Sequence, residues 1–119
     1  MTGHVIEVCM TCSDAETRAR GGTPLGRRFF EALRAEPAPE GVTVRSAPCL
    51  AVCARPATVA LRAAGKIVYV FGGLTDGDAP ALLRCAALYR DAPDGDVPYG
   101  SRPPELKGKL VVRLPALEE

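Results

Sequence analysis

Four cysteines in two close pairs constrain this chain more than any other feature. Cys9-Met10-Thr11-Cys12 lies near the start, and Cys49-Leu50-Ala51-Val52-Cys53 lies in the middle. Two thiolates on one short loop can converge on one metal with little added ordering entropy. Four of them form the tetrahedral zinc set, with Zn–S bonds of about 2.3 Å, or the ligand set of an iron–sulfur cluster. A fold that uses all four must carry both loops to one place. The same residues leave two other readings open. Cys9 and Cys12 could act as a redox dithiol, with Cys9 as nucleophile and Cys12 as resolving thiol. Alternatively, the two pairs are unrelated small buried residues, since cysteine is among the most buried types.

The compartment bears on this choice. The N-terminus lacks a basic region followed by a long apolar stretch, so it does not read as a signal peptide. No apolar run approaches the roughly 20 residues that span a bilayer. A cytoplasmic protein is the expectation, and there paired cysteines point to metal binding or redox chemistry more than to structural disulfides. The formal net charge of +1 gives no electrostatic case for nucleic acid or a membrane surface. The length of 119 residues suits one compact domain. Trp is absent and only six residues are Phe or Tyr, so a mostly aliphatic core is expected.

The pattern along the chain suggests how the loops could meet. His4 to Val8 is a short β-rich run, a central first strand ending at Cys9. Ser13-x-x-Glu16 resembles a capping box, and Gly21-Gly22 stops whatever turn follows. Thr23-Pro24 starts a helix in which Leu25, Phe29 and Leu33 form one apolar stripe, and Pro37 and Pro39 end it. Val42 to Ser46 alternates as a second strand. Ala57–Arg62 and Ile67–Phe71, joined by a turn at 63–66, read as an antiparallel hairpin. Asp76 or Asp78 caps a second helix with Leu82, Cys85, Ala86 and Tyr89 on one face. From Val97 the chain is rich in Pro and Gly until Leu110-Val111-Val112-Arg113-Leu114, an edge strand or an extended tail.

A βαβ unit with parallel strands, followed by an antiparallel hairpin and a helix, is the thioredoxin-like arrangement. It predicts a four-stranded mixed sheet, with the helix near 24–35 on one face and the helix near 78–90 beside it. Residues 1–96 form the domain, and 97–119 form a C-terminal extension packed on it. In open sheets of this kind functional groups gather beyond the carboxyl ends of the parallel strands. Cys9 and Cys49 follow those ends, which places both pairs on one rim. Cys85 lies mid-helix on the apolar face and reads as a core thiol, and His4 reads as a strand-start residue. Arg55-Pro56 precedes the third strand, where thioredoxin-like folds place a cis proline. No P-loop, Rossmann fingerprint or G-x-S-x-G motif is present.

Cys9-x2-Cys12 followed by Cys49-x3-Cys53 in this element order resembles the thioredoxin-like 2Fe-2S ferredoxins, whose first pair is spaced more widely. A resemblance over nearly the whole chain rests on five stretches. They are Pro48-Cys49-Leu50-Ala51-Val52-Cys53, Thr58–Leu61, Tyr69–Gly72, Ala86–Tyr89, and Val97-Pro98-Tyr99 with Arg102-Pro103. These look like the DUF1636 family, bacterial proteins usually described as predicted metal-binding. Ala57 stands where that family often has a further cysteine. Together the resemblances imply a 2Fe-2S cluster on Cys9, Cys12, Cys49 and Cys53, in an electron-transfer or cluster-binding protein and not an enzyme. They also imply a redox or metal-handling protein as its partner. Zinc carriage on the same thiolates is the alternative, and a thiol–disulfide oxidoreductase using Cys9 and Cys12 is the enzymatic one. The oligomeric state is left open, a dimer included.

Overall fold

The computed structural model describes residues 3–10, 15–47 and 57–116. Strand β1 (His4–Cys9) draws on Val5, Ile6 and Val8, which suit a pleated surface. Its period of two sends Ile6 and Val8 into the core, while Val5 and Glu7 face the other way. The crossover carries a short helix α1 (Ala15–Ala19) and then α2 (Leu25–Arg34). Pro24 precedes the first turn of α2, and Gly26, Phe29 and Leu33 are its buried side. Strand β2 (Val42–Ala47) returns parallel to β1, in register from His4 opposite Val42 to Cys9 opposite Ala47.

Strand β3 (Val59–Arg62) lies antiparallel to β1 on its other side, and β4 (Val68–Phe71) pairs antiparallel with β3. A single 3-10 turn at Asp76–Asp78 leads into α3 (Ala79–Asp91). Asp78 Oδ2 accepts from the Thr75 amide at 2.9 Å, fixing this entry. Helices α2 and α3 touch each other, and both pack on β1 and β2, so they lie side by side as expected.

The expectation of four strands is corrected. The sheet has five, in the order β2-β1-β3-β4-β5, because Leu110–Leu114 forms β5 against β4. The cause is non-local. The Gly72 amide donates to the Lys109 carbonyl at 2.9 Å, and Val70 sits opposite Val112. Without β5, the outer backbone groups of β4 would lack strand partners, a row that natural sheets cover or pair. Two anchors hold the segment before β5. Leu106 and Val97 are buried in the core, and Lys109 Nζ pairs with Asp78 Oδ2 at 2.5 Å.

One apolar cluster joins Ile6, Val8, Val59 and Leu61 of the sheet to Phe29 and Leu33 of α2 and to Leu82, Cys85 and Tyr89 of α3. Most of its members are aliphatic, yet its largest fully buried side chains are Tyr69, Tyr89, Phe29 and Phe71. The tyrosines can be buried because their hydroxyls are satisfied. Tyr89 donates to the Ile67 carbonyl at 2.6 Å, and the Tyr69 hydroxyl accepts from the Val97 amide at 2.9 Å. The opposite face of the sheet carries no helix among the described residues. There Glu7 accepts ion pairs from Arg45 and Arg62, each at 2.9 Å.

Candidate functional site

The carboxyl end of β1 is the corner from which the site is built. Cys9 ends the strand and is 2 % exposed. Its amide donates to the Thr58 carbonyl at 3.0 Å, and the next amide, of Met10, donates to the Ala47 carbonyl at 3.0 Å. Two consecutive amides therefore reach to opposite sides. One holds the last residue of β2, and the other holds the residue just before β3. Because β1 lies between β2 and β3 in the sheet, Ala47 and Thr58 stand on either side of Cys9.

Of the four cysteines proposed as ligands, Cys9 is among the described residues. Cys12, Cys49 and Cys53 lie outside them, as do Ser13 and the Arg55-Pro56 dipeptide. Among the described residues no group of three or more His, Cys, Asp or Glu side chains could hold a metal ion. Ala57 is fully buried, and its backbone pairs with Leu74 in both directions, at 3.2 and 3.5 Å.

Two recesses flank this corner, each of about 450 Å³. One is lined by Met10, Arg27, Phe30, Glu31, Arg34 and Ala35. These α2 residues fall at helical spacings of three and four, on the side away from Phe29 and Leu33. The Arg34 guanidinium lies 5.5 Å over the Phe30 ring, and Arg27 pairs with Glu31 at 3.7 Å. The other recess lies between Leu25 and Arg28 of α2 and the loop from Gly73 to Gly77. Arg28 pairs there with Asp76 at 3.0 Å. Exposed pairs of this kind contribute little stability, so these arginines are available to contact something else.

The remaining candidates separate cleanly from the corner. Cys85 is buried in α3, and burial pushes its thiol up to about 11, with Arg102 pulling weakly the other way. A thiol so disfavoured as thiolate is a poor ligand and a poor nucleophile, in keeping with a core role. His4 starts β1, at the end of the strand away from Cys9. Its Nε2 accepts from Lys66 Nζ at 2.8 Å, and the same ammonium donates to the carbonyls of Tyr89 at 3.1 Å and Arg90 at 2.9 Å. Desolvation and then the Lys66 charge hold the His4 pKa below its usual value. His4 is thus committed to the end of α3. Sequence reading missed Ala47 and Thr58 as part of the corner because they act through carbonyls, which any residue supplies. It missed Phe30 because only its departure from the buried stripe marks it.

The fold and this corner define a class: small α/β proteins with an open mixed sheet and a buried thiol at the carboxyl rim of its parallel pair. Within it, residues 6–116 match the family model described as "Protein of unknown function (DUF1636)", and the chain belongs to that family. No curated protein and no solved structure matches the chain. No helix among the described residues is long and apolar enough to cross a membrane.

Proposed function

We propose that this chain is a cytoplasmic metal-binding protein of thioredoxin-like type, which holds a 2Fe-2S cluster on Cys9, Cys12, Cys49 and Cys53 and passes electrons or the cluster to a protein partner. The observation that carries this reading is the pair of backbone bonds from Cys9 and Met10. They hold Ala47 and Thr58, which precede and follow the stretch bearing Cys49 and Cys53, against Met10 and Cys9, where the other pair begins. A residue adds at most about 3.6 Å to an extended chain. Two residues span at most about 7 Å, so the anchoring of Ala47 beside Cys9 supports a site in which Cys49 joins Cys9. Strand order supports the thioredoxin-like assignment, with β1 and β2 parallel and β3 and β4 antiparallel beyond β1.

The donor chemistry fits the group. Four thiolates suit iron–sulfur or zinc binding, and the Cys9 side of the corner is already shielded from water, which tunes the potential of a bound cluster. When bound, the cluster supplies one-electron transfer. The chain's own part is to hold the thiolates, exclude solvent and offer the arginine-lined recess beside Met10 to a partner. The second reading, zinc on the same thiolates, is favoured by the close spacing within each pair. Anaerobic purification followed by the visible spectrum and metal analysis separates the two. Brown protein with iron and sulfide in equal amounts supports the cluster, and colourless protein with one zinc per chain supports carriage. Protein that binds neither, while Cys9 and Cys12 cycle as a disulfide, overturns both.

A further inference from the structure

Cys9 is buried, yet it lies on the face of the sheet that carries no helix among the described residues. Side chains alternate along β1, so Cys9 shares the side of Val5 and Glu7, opposite Ile6 and Val8. Cys9 and Ala60 are buried apolar residues outside the cluster that joins the sheet to α2 and α3, as this placement requires. An ion-pair triad stands on the same face. Arg45 of β2 reaches Glu7 Oε2 at 2.9 Å, and Arg62 of β3 reaches Glu7 Oε1 at 2.9 Å. Glu7 is opposite Arg45, and Cys9 is opposite Ala47, so Glu7 sits one strand repeat, about 7 Å, from Cys9. The Glu7 side chain is largely covered and both arginines are half exposed. Among the described strand residues these three are the charged groups of this face, since Arg113 of β5 stands opposite the core residue Tyr69.

We propose that Arg45, Glu7 and Arg62 are positioning residues that set the charge at the cysteine site. The two guanidinium groups stabilise the excess negative charge of the metal-bound thiolates, and Glu7 holds both groups beside Cys9. This rests on the four-thiolate reading above. Four thiolates outweigh the charge of a zinc ion, and together with bridging sulfides they outweigh that of two ferric ions. Either site is net anionic, and a buried anion is costly unless cations or donors stand near it. One-electron reduction adds a further negative charge to a cluster, so local positive charge favours it and local negative charge opposes it. Two cations against one anion leave the triad net positive, inside the Debye length of about 10 Å at moderate salt. A guanidinium keeps its charge throughout and has no acceptor atom, so Arg45 and Arg62 act through the field and not as ligands. Glu7 offsets the rotamer entropy that would otherwise let two long side chains wander from the site.

Charge substitutions in the reconstituted whole chain test this. Reduction is titrated with dithionite and followed by the visible spectrum, and zinc-loaded protein is titrated with a chelator. Arg45→Gln and Arg62→Gln should each lower the reduction potential, by about threefold or more in the equilibrium constant, and Glu7→Gln should raise it. Zinc affinity should shift in the same directions. Arg45→Lys, which keeps the charge, should stay near wild type. Arg113→Gln removes an equal charge about 14 Å away across three strand spacings, and should change neither quantity. Opposite shifts from opposite charges are the signature, because lost packing would weaken the site in every variant alike. Urea midpoints confirm that each variant is folded, and the half-exposed arginines decide if Glu7→Gln does not fold. Wild type that holds neither a cluster nor zinc refutes the four-thiolate reading and this proposal with it. Protein that holds either metal, while both arginine-to-glutamine variants keep the wild-type constants or shift the same way as Glu7→Gln, overturns this proposal alone.

Discussion

Gly95 offers a test of how tightly the end of α3 is packed. Its φ is +81°, in the left-handed region, and an added Cβ would lie 2.6 Å from Tyr89 Cε1 and 3.0 Å from Lys66 Cβ. Tyr89 cannot swing aside, because its ring is 1 % exposed and its hydroxyl is held by the Ile67 carbonyl at 2.6 Å. Gly73 is a matched control, with φ +74° and nothing within 4 Å of its own added Cβ. Both alanine variants incur the backbone cost of a left-handed L-residue, about 1–2 kcal/mol. Only Gly95→Ala adds overpacking, typically about 1–3 kcal/mol. The expected losses are therefore about 1–2 kcal/mol for Gly73→Ala and about 2–5 kcal/mol for Gly95→Ala. In urea, with an m value of about 2 kcal/mol/M, the second variant should fall by about 1–2.5 M in midpoint. Equal losses in the two variants, at unchanged m, would refute the packing described around Tyr89 and Lys66.

Two further outcomes follow from the buried and half-buried groups. His4 has a folded pKa lowered by desolvation first and then by Lys66, with the Gly41 carbonyl opposing, Arg90 adding to the lowering and Asp91 opposing least. The unfolded chain therefore takes up this proton first, and stability contributed here is full above about pH 6.5 and declines as pH falls below it. Urea midpoints measured between pH 7.5 and pH 5 should show that decline in wild type and a smaller one in His4→Gln, and a slope identical in both would remove His4 as its source. Cys85→Ala should retain full metal content at a cost of about 1 kcal/mol. Wild-type Cys85 should resist alkylation in native protein because its thiol is pushed up to about 11. Loss of metal in Cys85→Ala would make it a ligand.

What the sequence made legible was the part of the fold governed by short-range pattern. The apolar run from Val5 to Val8, the alternation after Val42 and the turn between Arg62 and Ile67 each locate a strand through period and turn chemistry alone. Phe29 and Leu33 gave the buried side of α2 for the same reason. From sequence β5 reads as either strand or tail, since its five residues depend on β4, reached only through a Pro- and Gly-rich stretch with no period of its own. The contact of Lys66 with His4 had no signal at all, because it joins residues 62 apart through a side chain that reads as an ordinary turn lysine. At the site, the position of Cys9 could be read from where β1 must end. The anchoring of both flanks by the Cys9 and Met10 amides could not, since a backbone bond leaves no mark on residue type.

Iron and acid-labile sulfide, determined after anaerobic reconstitution on wild type and on Cys49→Ser, decide whether the two cysteine pairs hold one cluster. Cys49 is the first cysteine of the segment tied to Cys9 through Ala47, so its sulfur must join Cys9 if the two pairs share one cluster. Brown wild-type protein with iron and sulfide in equal amounts is expected, with marked loss of both in the variant. Wild type that takes up neither iron nor sulfide, or a Cys49→Ser variant that holds as much of both as wild type, would contradict it.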